Sequence, residues 1–337
     1  MTLVGCLGGG QLGRMLALAG LPLGLSFRFL DPAPDACAGE VGELVVGSFD
    51  DPIALRRLVD GAKVVTYEFE NVPVGAAAAV TAVPGIGALE VGQDRLREKE
   101  LLQRLGIPTA RFGTLEDTGL PALVKTRRLG YDGKGQRRLD EPEPIGGDEL
   151  AEQLVPFDRE LSIVAVRGSD GETRFWPLGE NVHRDGILRV TRAPALDAPQ
   201  AEAEAIAAAL LDELDYVGVL AVELFQVGGG LLANELAPRV HNTAHWTIDG
   251  ARTSQFENHL RAILGWPLGS TDALGDSVMV NLVGGIPPLG ELLALPHANV
   301  HLYGKSPRPG RKLGHVTLVG ASEHEVELAL ALAAAAE

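Results

Sequence analysis

Short apolar runs, set apart by glycine- and proline-rich turns, alternate with stretches of helical spacing along the first part of the chain. Leu3 to Leu7 is a continuous apolar run of strand length, followed by the glycine-rich Gly8 to Gly13 and by helix-like spacing from Arg14 to Ala19. Ser26 to Leu30, Leu44 to Val46 and Val64 to Tyr67 predict further strands. Pro52 to Val59 predicts a helix, with Pro52 at the first-turn position after Asp50-Asp51. Strand and helix alternating in this way predict a parallel βαβ unit that closes near Leu89.

Beyond it the pattern changes. Asp94 to Leu105 predicts a charged helix, stopped by Gly106 and Pro108. Its Arg95 and Lys99 lie four apart, the spacing of a solvated helix face. Thr109 to Leu115 and Ala122 to Thr126 predict strands. Glu160 to Arg167 alternates like a strand and turns at Gly168–Gly171 into Phe175–Leu178. Gly179 to Gly186 reads as a polar loop, and Ala198 to Leu214 and Thr253 to Leu264 as helices. Val278 to Leu282, Val300 to Tyr303 and Val316 to Val319 predict the last strands, and Ser322 with Glu325 forms a capping box for a C-terminal helix. The fold class is α/β in the first unit, passing to α+β after it.

Between the two helices lies a hairpin. Apolar Val219 to Val227 meets Gly228 to Gly230, and Leu231 to Leu236 follows. A three-residue loop sets Val227 opposite Leu231, Phe225 opposite Ala233 and Glu223 opposite Glu235. Facing carboxylates repel, so a cation belongs between them. Mg²⁺ takes carboxylate oxygens and shares its other positions with phosphates. A one-residue bulge would instead throw one of the two to solvent.

Composition narrows the classes. With 337 residues, the chain predicts two or three domains. Its net charge of −16 argues against non-specific binding to nucleic acid or anionic membranes. Yet Lys125, Arg127, Arg128, Lys134, Arg137 and Arg138 cluster, as do Lys305, Arg308, Arg311 and Lys312. Such basic islands in an acidic chain suggest small bound anions such as phosphates, or solvated loops. No apolar run is long enough to span a bilayer. Cys6 and Cys37 form no disulfide or zinc pattern, and the N-terminus has no basic region of a secretory signal, so a cytoplasmic protein is expected.

Several segments carry candidate chemistry. Gly8-Gly9-Gly10-Gln11-Leu12-Gly13 between a strand and a helix has the context of a phosphate-binding turn, and Asp31 follows at the distance of a ribose-binding acid. An NAD-dependent dehydrogenase is therefore one reading. Glu68 and Glu70 follow a strand at its carboxyl end, where ligands bind in parallel sheets. Lys125 precedes a loop with three glycines in six residues, a form that can fold over phosphates. Arg239, His241 and Asn242 sit just past Glu235; His241 and His245 are too few for a zinc site.

Taken together, these segments resemble the ATP-grasp superfamily and, within it, the N5-carboxyaminoimidazole ribonucleotide synthetases. The resemblance is carried by GGGQLGRMLALAG (Gly8 to Gly20), TYEFENVP (Thr66 to Pro73), QDRLREKELLQRLGIPTA (Gln93 to Ala110), KTRRLGYDGKGQ (Lys125 to Gln136), ENVHRDGIL (Glu180 to Leu188), NELAPRVHNTAHW (Asn234 to Trp246) and RPGRKLGH (Arg308 to His315). It implies a βαβ domain over 1–90, an ATP-grasp region over 91–267 with a small lid at about 115–160, and a small C-terminal domain over 268–337.

The resemblance also implies ATP-dependent carboxylation of 5-aminoimidazole ribonucleotide by bicarbonate, through carboxyphosphate. For ATP it implies Arg95, Lys125, the loop Gly130, Tyr131, Asp132, Gly133, Lys134, Gly135 and Gln136, the linker Glu152, Gln153, Leu154 and Val155, and also Glu160, His183, Asn234 and Glu235. Two Mg²⁺ ions would sit on Glu223 and Glu235. The ribonucleotide site would use Gly10, Gln11, Leu12, Glu68, Glu70, Tyr131, Lys134, Lys305, Arg311 and Lys312, and Arg239, His241 and Asn242 would act on bicarbonate. The family often has Arg where Lys134 stands. A homodimer and a functional link to the mutase that acts on the product are further implications. A formate-using transformylase or a biotin-type carboxylase would keep the ATP residues and change the acceptor.

Overall fold

The computed structural model describes residues 1–130 and 135–337. The first unit is built from β1 (Thr2–Leu7), α1 (Gln11–Gly20), β2 (Leu25–Asp31), β3 (Glu43–Val46), α2 (Pro52–Val59) and β4 (Ala62–Tyr67). Its four strands are parallel and ordered β3-β2-β1-β4, so all their carboxyl ends open on one edge. The Asp51 side chain accepts from the Ile53 N–H at 2.8 Å and caps α2, with Pro52 in its first turn as expected. Short helices α3 (Val74–Ala79) and α4 (Ile86–Gly92) lead into α5 (Arg95–Arg104), capped by Asp94.

A small antiparallel sheet follows, ordered β5-β8-β6-β7, from β5 (Phe112–Gly113), α6 (Leu115–Thr118), β6 (Ala122–Thr126), β7 (Gln136–Leu139) and β8 (Glu149–Gln153). The strand expected over Thr109–Leu115 is only this two-residue β5. Thr114 and Asp117 satisfy each other's backbone N–H in a capping box, which starts α6 and ends the extended run.

The third sheet is the largest. It takes in β9 (Arg159–Arg167), β10 (Thr173–Phe175), β11 (Gly179–Arg184), β12 (Ile187–Ala193), β13 (Gly218–Val227), β14 (Gly230–Ala237), β15 (Ser277–Val283), β16 (Ala298–Leu302) and β17 (Lys312–Val319). The order is β14-β13-β9-β11-β12-β15-β17-β16, with β10 on β9. Hence the strands of the last seventy residues continue the same hydrogen-bonded sheet through β12 and β15. Helix α7 (Gln200–Glu213) packs on β9 and β13, α9 (Gln255–Ile263) lies between this sheet and α1 of the first unit, and α8 (Thr247–Gly250) packs on β17 and α9. Helices α10 (Leu289–Leu293) and α11 (Glu323–Ala335) cover β16 and β15, and Ser322 and Glu325 form the expected capping box.

The polar stretch Gly179–Gly186 is strand β11 and its turn, not a loop. Its polar residues can sit in a sheet because they are satisfied there: Asn181 is buried and its Oδ1 accepts from Thr191 Oγ1 at 2.9 Å.

The central hairpin corrects its expected register twice. The loop has two residues, Gly228 (φ +56) and Gly229 (φ +91), both in the left-handed region that favours glycine, so Val227 faces Gly230 and Phe225 faces Leu232. A bulge at Asn234 then takes up one residue, and Glu223 does face Glu235. The two one-residue departures cancel at the carboxylates.

Candidate active site

A cleft opens where the first unit meets this hairpin, with Glu70, Arg95, Glu98, Glu235, Arg239 and His241 among its lining. Glu223 and Glu235 face each other across the strand pair. The His241 Nε2 stands 3.5 Å from a Glu223 oxygen, and Arg95 Nη1 donates to Glu235 at 2.8 Å. Their environments split the carboxylates. Burial, then the charge of Glu235, pushes Glu223 up to about 7. Burial acts upward on Glu235 too, but Arg95 and Lys125 outweigh it and hold that carboxylate below its usual range.

The bulge residue adds a third oxygen. Asn234 Oδ1 is buried without a hydrogen-bond partner among the described residues. Its backbone O accepts from Lys99 Nζ at 2.7 Å, and Lys99 also reaches Thr109 Oγ1 at 3.0 Å and Glu152 at 3.4 Å. Among the described residues no group of three or more His, Cys, Asp or Glu is arranged for a metal. Two carboxylates and an unpartnered amide oxygen are nevertheless a donor set suited to a hard cation that completes its shell with phosphate oxygens.

Cations flank this end. Lys125 Nζ donates to Glu152 Oε2 at 3.0 Å, and burial of Glu152 is outweighed by Lys125 and Lys99, which bring it to about 2. Its Oε1 is buried and has no hydrogen-bond partner among the described residues. Arg95 and Lys99 are not a solvated face: their side chains are 18% and 1% exposed. Gly130 O accepts from Arg95 at 3.4 Å, Gly135 O accepts from the Thr126 N–H at 2.7 Å, and Gln136 pairs with Lys125. Tyr131, Asp132, Gly133 and Lys134 lie outside the described residues.

Gln153 follows Glu152 on β8 and its Oε1 accepts from Arg111 Nε at 3.1 Å, with Leu154 and Val155 half-buried after it. Glu160 and His183 bond to each other from adjacent strands. Burial alone would lower His183, yet Glu160 and Glu223 raise it.

On the other side of the cleft, Arg239 Nε donates to Glu70. Asn242 is held by a reciprocal amide pair with Asn281, its Nδ2 donating at 3.1 Å and its Oδ1 accepting at 2.8 Å. Burial, reinforced by the Arg239 cation, keeps His241 far below the usual imidazole range and so neutral. Lys312 opens β17 opposite Val283, and its charge is felt at Glu223, His183 and His241.

The glycine loop is not an open phosphate cradle. Gly9 N–H donates to Asp31 Oδ2 at 2.8 Å, and Glu68 accepts from the N–H groups of Gly10 and of Gly13, the latter at 2.7 Å. Asp31 also accepts from the Ala33 N–H at 2.8 Å. With both its oxygens occupied by backbone, Asp31 is not placed to select a ribose, and the dehydrogenase reading loses its acid. Gln11 Oε1 instead accepts from Lys305 Nζ, which brings the second basic island onto the start of α1, beside Leu12. Arg311 lies further out, donating to Ser306 O at 3.2 Å.

No sequence pattern singles out Glu98, Gln255 or Asn281, and helical spacing places Lys99 on a solvated face although it is buried. Glu98 is buried, accepts from the Leu236 N–H, and is pushed up to about 8 by burial and then by Glu235. Only its place beside Arg95 and Lys99 on one helix could have flagged it.

Comparisons with known proteins agree along the whole chain. The ribonucleotide synthetase preATP-grasp domain matches residues 1–93, the ATP-grasp domain 100–256 and the phosphoribosylaminoimidazole carboxylase C-terminal domain 277–328. The N5-carboxyaminoimidazole ribonucleotide synthase of Pseudomonas aeruginosa is 50% identical and is covered over 94% of each chain. That of Brucella melitensis is 45% identical, over 94% of this chain and 96% of the relative. The crystal structure of the synthetase from Thermus thermophilus has a TM-score of 0.93 at 54% identity, covering 99% of this chain and 98% of that one. The Aspergillus clavatus synthase, solved with ADP and the aminoimidazole ribonucleotide, has a TM-score of 0.87 at 31% identity, with 99% and 98% covered.

Proposed function

The chain belongs to the N5-carboxyaminoimidazole ribonucleotide synthases, ATP-dependent carbon–nitrogen ligases of purine biosynthesis, and we propose how its cleft divides the reaction among its residues. The reaction joins bicarbonate to the exocyclic amine of 5-aminoimidazole ribonucleotide at the cost of ATP. Bicarbonate is a poor electrophile. Its oxygen attacks the γ-phosphorus of ATP, giving ADP and carboxyphosphate; the amine then takes the carboxyl carbon, phosphate leaves and the amine loses a proton.

The observation that carries the assignment is the carboxylate pair Glu223 and Glu235 beside the unpartnered Asn234 oxygen, at the end of a cleft whose other wall is Glu70 and Arg239. Glu223, Glu235 and Asn234 would hold Mg²⁺, two ions in our reading. When bound, the metal neutralises charge on the phosphates. Lys125 and Arg95 face the same phosphates, and Glu152 to Val155 with Glu160 and His183 hold the nucleoside. Neutral His241, with Arg239 and Asn242, orients bicarbonate without adding a proton to it. Glu70, Gln11, Lys305, Arg311 and Lys312 hold the ribonucleotide, the cations taking its phosphate.

No described helix is long and apolar enough to cross a membrane. Cys6 and Cys37 are free and buried, which fits a reducing compartment; we place the enzyme in the cytoplasm, as a homodimer that hands its product to a mutase. The test of the function is ADP release with ATP and Mg²⁺, omitting bicarbonate or the ribonucleotide in turn. Release that needs both supports the reading. Release supported by formate, or by another acceptor instead of the aminoimidazole ribonucleotide, would reassign the acceptor site.

A further inference from the structure

Helix α9 carries three polar side chains that are all buried, Gln255, Asn258 and His259. A buried polar group is tolerated where it is hydrogen-bonded, and each of these ties α9 to a different segment. Asn258 exchanges two bonds with Gly269, away from the cleft. Gln255 closes on the backbone of His241: its Oε1 accepts from the His241 N–H and its Nε2 donates to the His241 O, both at 2.7 Å.

One helical turn further on, His259 Nδ1 accepts from the Val219 N–H at 3.2 Å. A backbone donor at Nδ1 leaves the proton of the neutral ring on Nε2, which then donates to Thr66 Oγ1 at 3.0 Å. Val219 is on β13, the strand of Glu223. Thr66 is on β4, just before Glu68 and Glu70. The backbone is shaped to the ring: Gly218 has φ +125, and a Cβ there would stand 3.1 Å from His259.

We propose that Gln255 and His259 are positioning residues: through one rigid turn of α9 they hold the His241 loop and the Thr66 strand in fixed relation, so that the phosphoryl-transfer and ribonucleotide sides of the cleft meet in register. The inference rests on the function assigned above. Its consequence follows from the intermediate. If the two sides are out of register, carboxyphosphate takes water instead of the amine, returning bicarbonate and phosphate, and ATP is cleaved without carboxylation.

The experiment measures carboxylated ribonucleotide formed per ADP released, with the KM values for ATP and ribonucleotide, in wild type, His259→Leu, His259→Gln and Thr66→Val. His259→Leu lowers the ratio and raises the ribonucleotide KM about fivefold, the scale of one lost hydrogen bond, with little change in the ATP KM. His259→Gln, which offers one acceptor and one donor, restores both. Thr66→Val cuts the same bond with a smaller disturbance, shows the same change in weaker form, and serves if the leucine variant does not fold. A wild-type ratio in Thr66→Val, equal losses in the leucine and glutamine variants, or equal rises in both KM values would overturn the proposal. Wild-type protein without ribonucleotide-dependent ADP release would overturn the functional assignment instead.

Discussion

Two glycine-rich turns bring carboxylates together in this molecule, and they do so to opposite ends. At the first, Asp31 and Glu68 turn inward and accept from the N–H groups of Gly9, Gly10, Gly13 and Ala33. Their bonding capacity is spent on the loop and the start of α1. At the second, Glu223 and Glu235 face each other across β13 and β14, and the side-chain oxygen of the neighbouring Asn234 has no hydrogen-bond partner among the described residues. A satisfied carboxylate holds a fold; half-buried acceptors with capacity to spare, in a place that repels itself, hold a ligand. In sequence the first turn has the stronger motif, and it is the less available for binding.

The comparison is tested most severely by Glu235→Gln. The amide keeps the shape, and the fold should survive, but one of the charges that the metal and triphosphate need is gone. ATP-dependent turnover should fall by roughly 100- to 1,000-fold, on the scale of losing one preorganised electrostatic partner. Near-normal ADP release from this variant would remove the metal assignment from the hairpin.

Where the two regions join, the prediction concerns pH. Burial pushes His259 down to about 4, against about 6.5 in an unfolded chain. Above pH 6.5 the ring is neutral in both states and the seam is fully stable. As pH falls from 6.5 to 4 the unfolded chain binds a proton that the folded one refuses, so stability declines, by about 3 kcal/mol for this one group. His241, His245 and His315, which burial also holds low, act with the same sign. Urea unfolding at stepped pH should show the decline, and His259→Gln should flatten part of it. An unchanged slope would mean that the ring is protonated in the native state.

Glu68→Gln probes the first turn. The amide offers one acceptor where two N–H groups need one each, and its NH₂ meets the other. The cost should be about 1–3 kcal/mol, the range for an unmet buried donor, read as a lower Tm. ATP-dependent turnover at saturating ribonucleotide should change far less than in Glu235→Gln. A variant as stable as wild type would place Glu68 with the spare-capacity carboxylates.

Much of this was legible in the chain. Strand–helix alternation gave the first sheet, Pro52 after Asp51 gave α2, and Ser322 with Glu325 gave the start of α11, because each depends on neighbours in sequence. The facing of Glu223 and Glu235 was legible only by compensation: the hairpin loop was one residue shorter than expected and the Asn234 bulge restored the register. Period-two patterns fix which face a residue takes but not where an extra one is absorbed. The partners of Lys99, Gln255 and Asn281 were not legible, since they come from segments far apart in the chain and nothing local announces them. For the same reason a buried Lys99 looked like a residue on a solvated face.

The basic islands give the smallest and sharpest contrast, because they extend the same distinction to cations. Lys305 is half-buried, and its Nζ reaches Gln11, 294 residues away in sequence, at the edge of the first unit. Arg138 lies on the exposed edge strand β7 and bonds to Asp140, two residues away. Lys305→Ala should therefore raise the ribonucleotide KM about tenfold, as the loss of one charged contact to phosphate would, and leave the ATP KM nearly unchanged. Arg138→Ala should change neither KM and should shift stability by less than about 0.5 kcal/mol, as solvated ion pairs do. Steady-state kinetics on the two variants decides it: equal effects on both substrates at position 305 would take that residue out of the ribonucleotide site, and a substantial effect at position 138 would mean that clustering in sequence, rather than long-range convergence, marks the anion site in this protein.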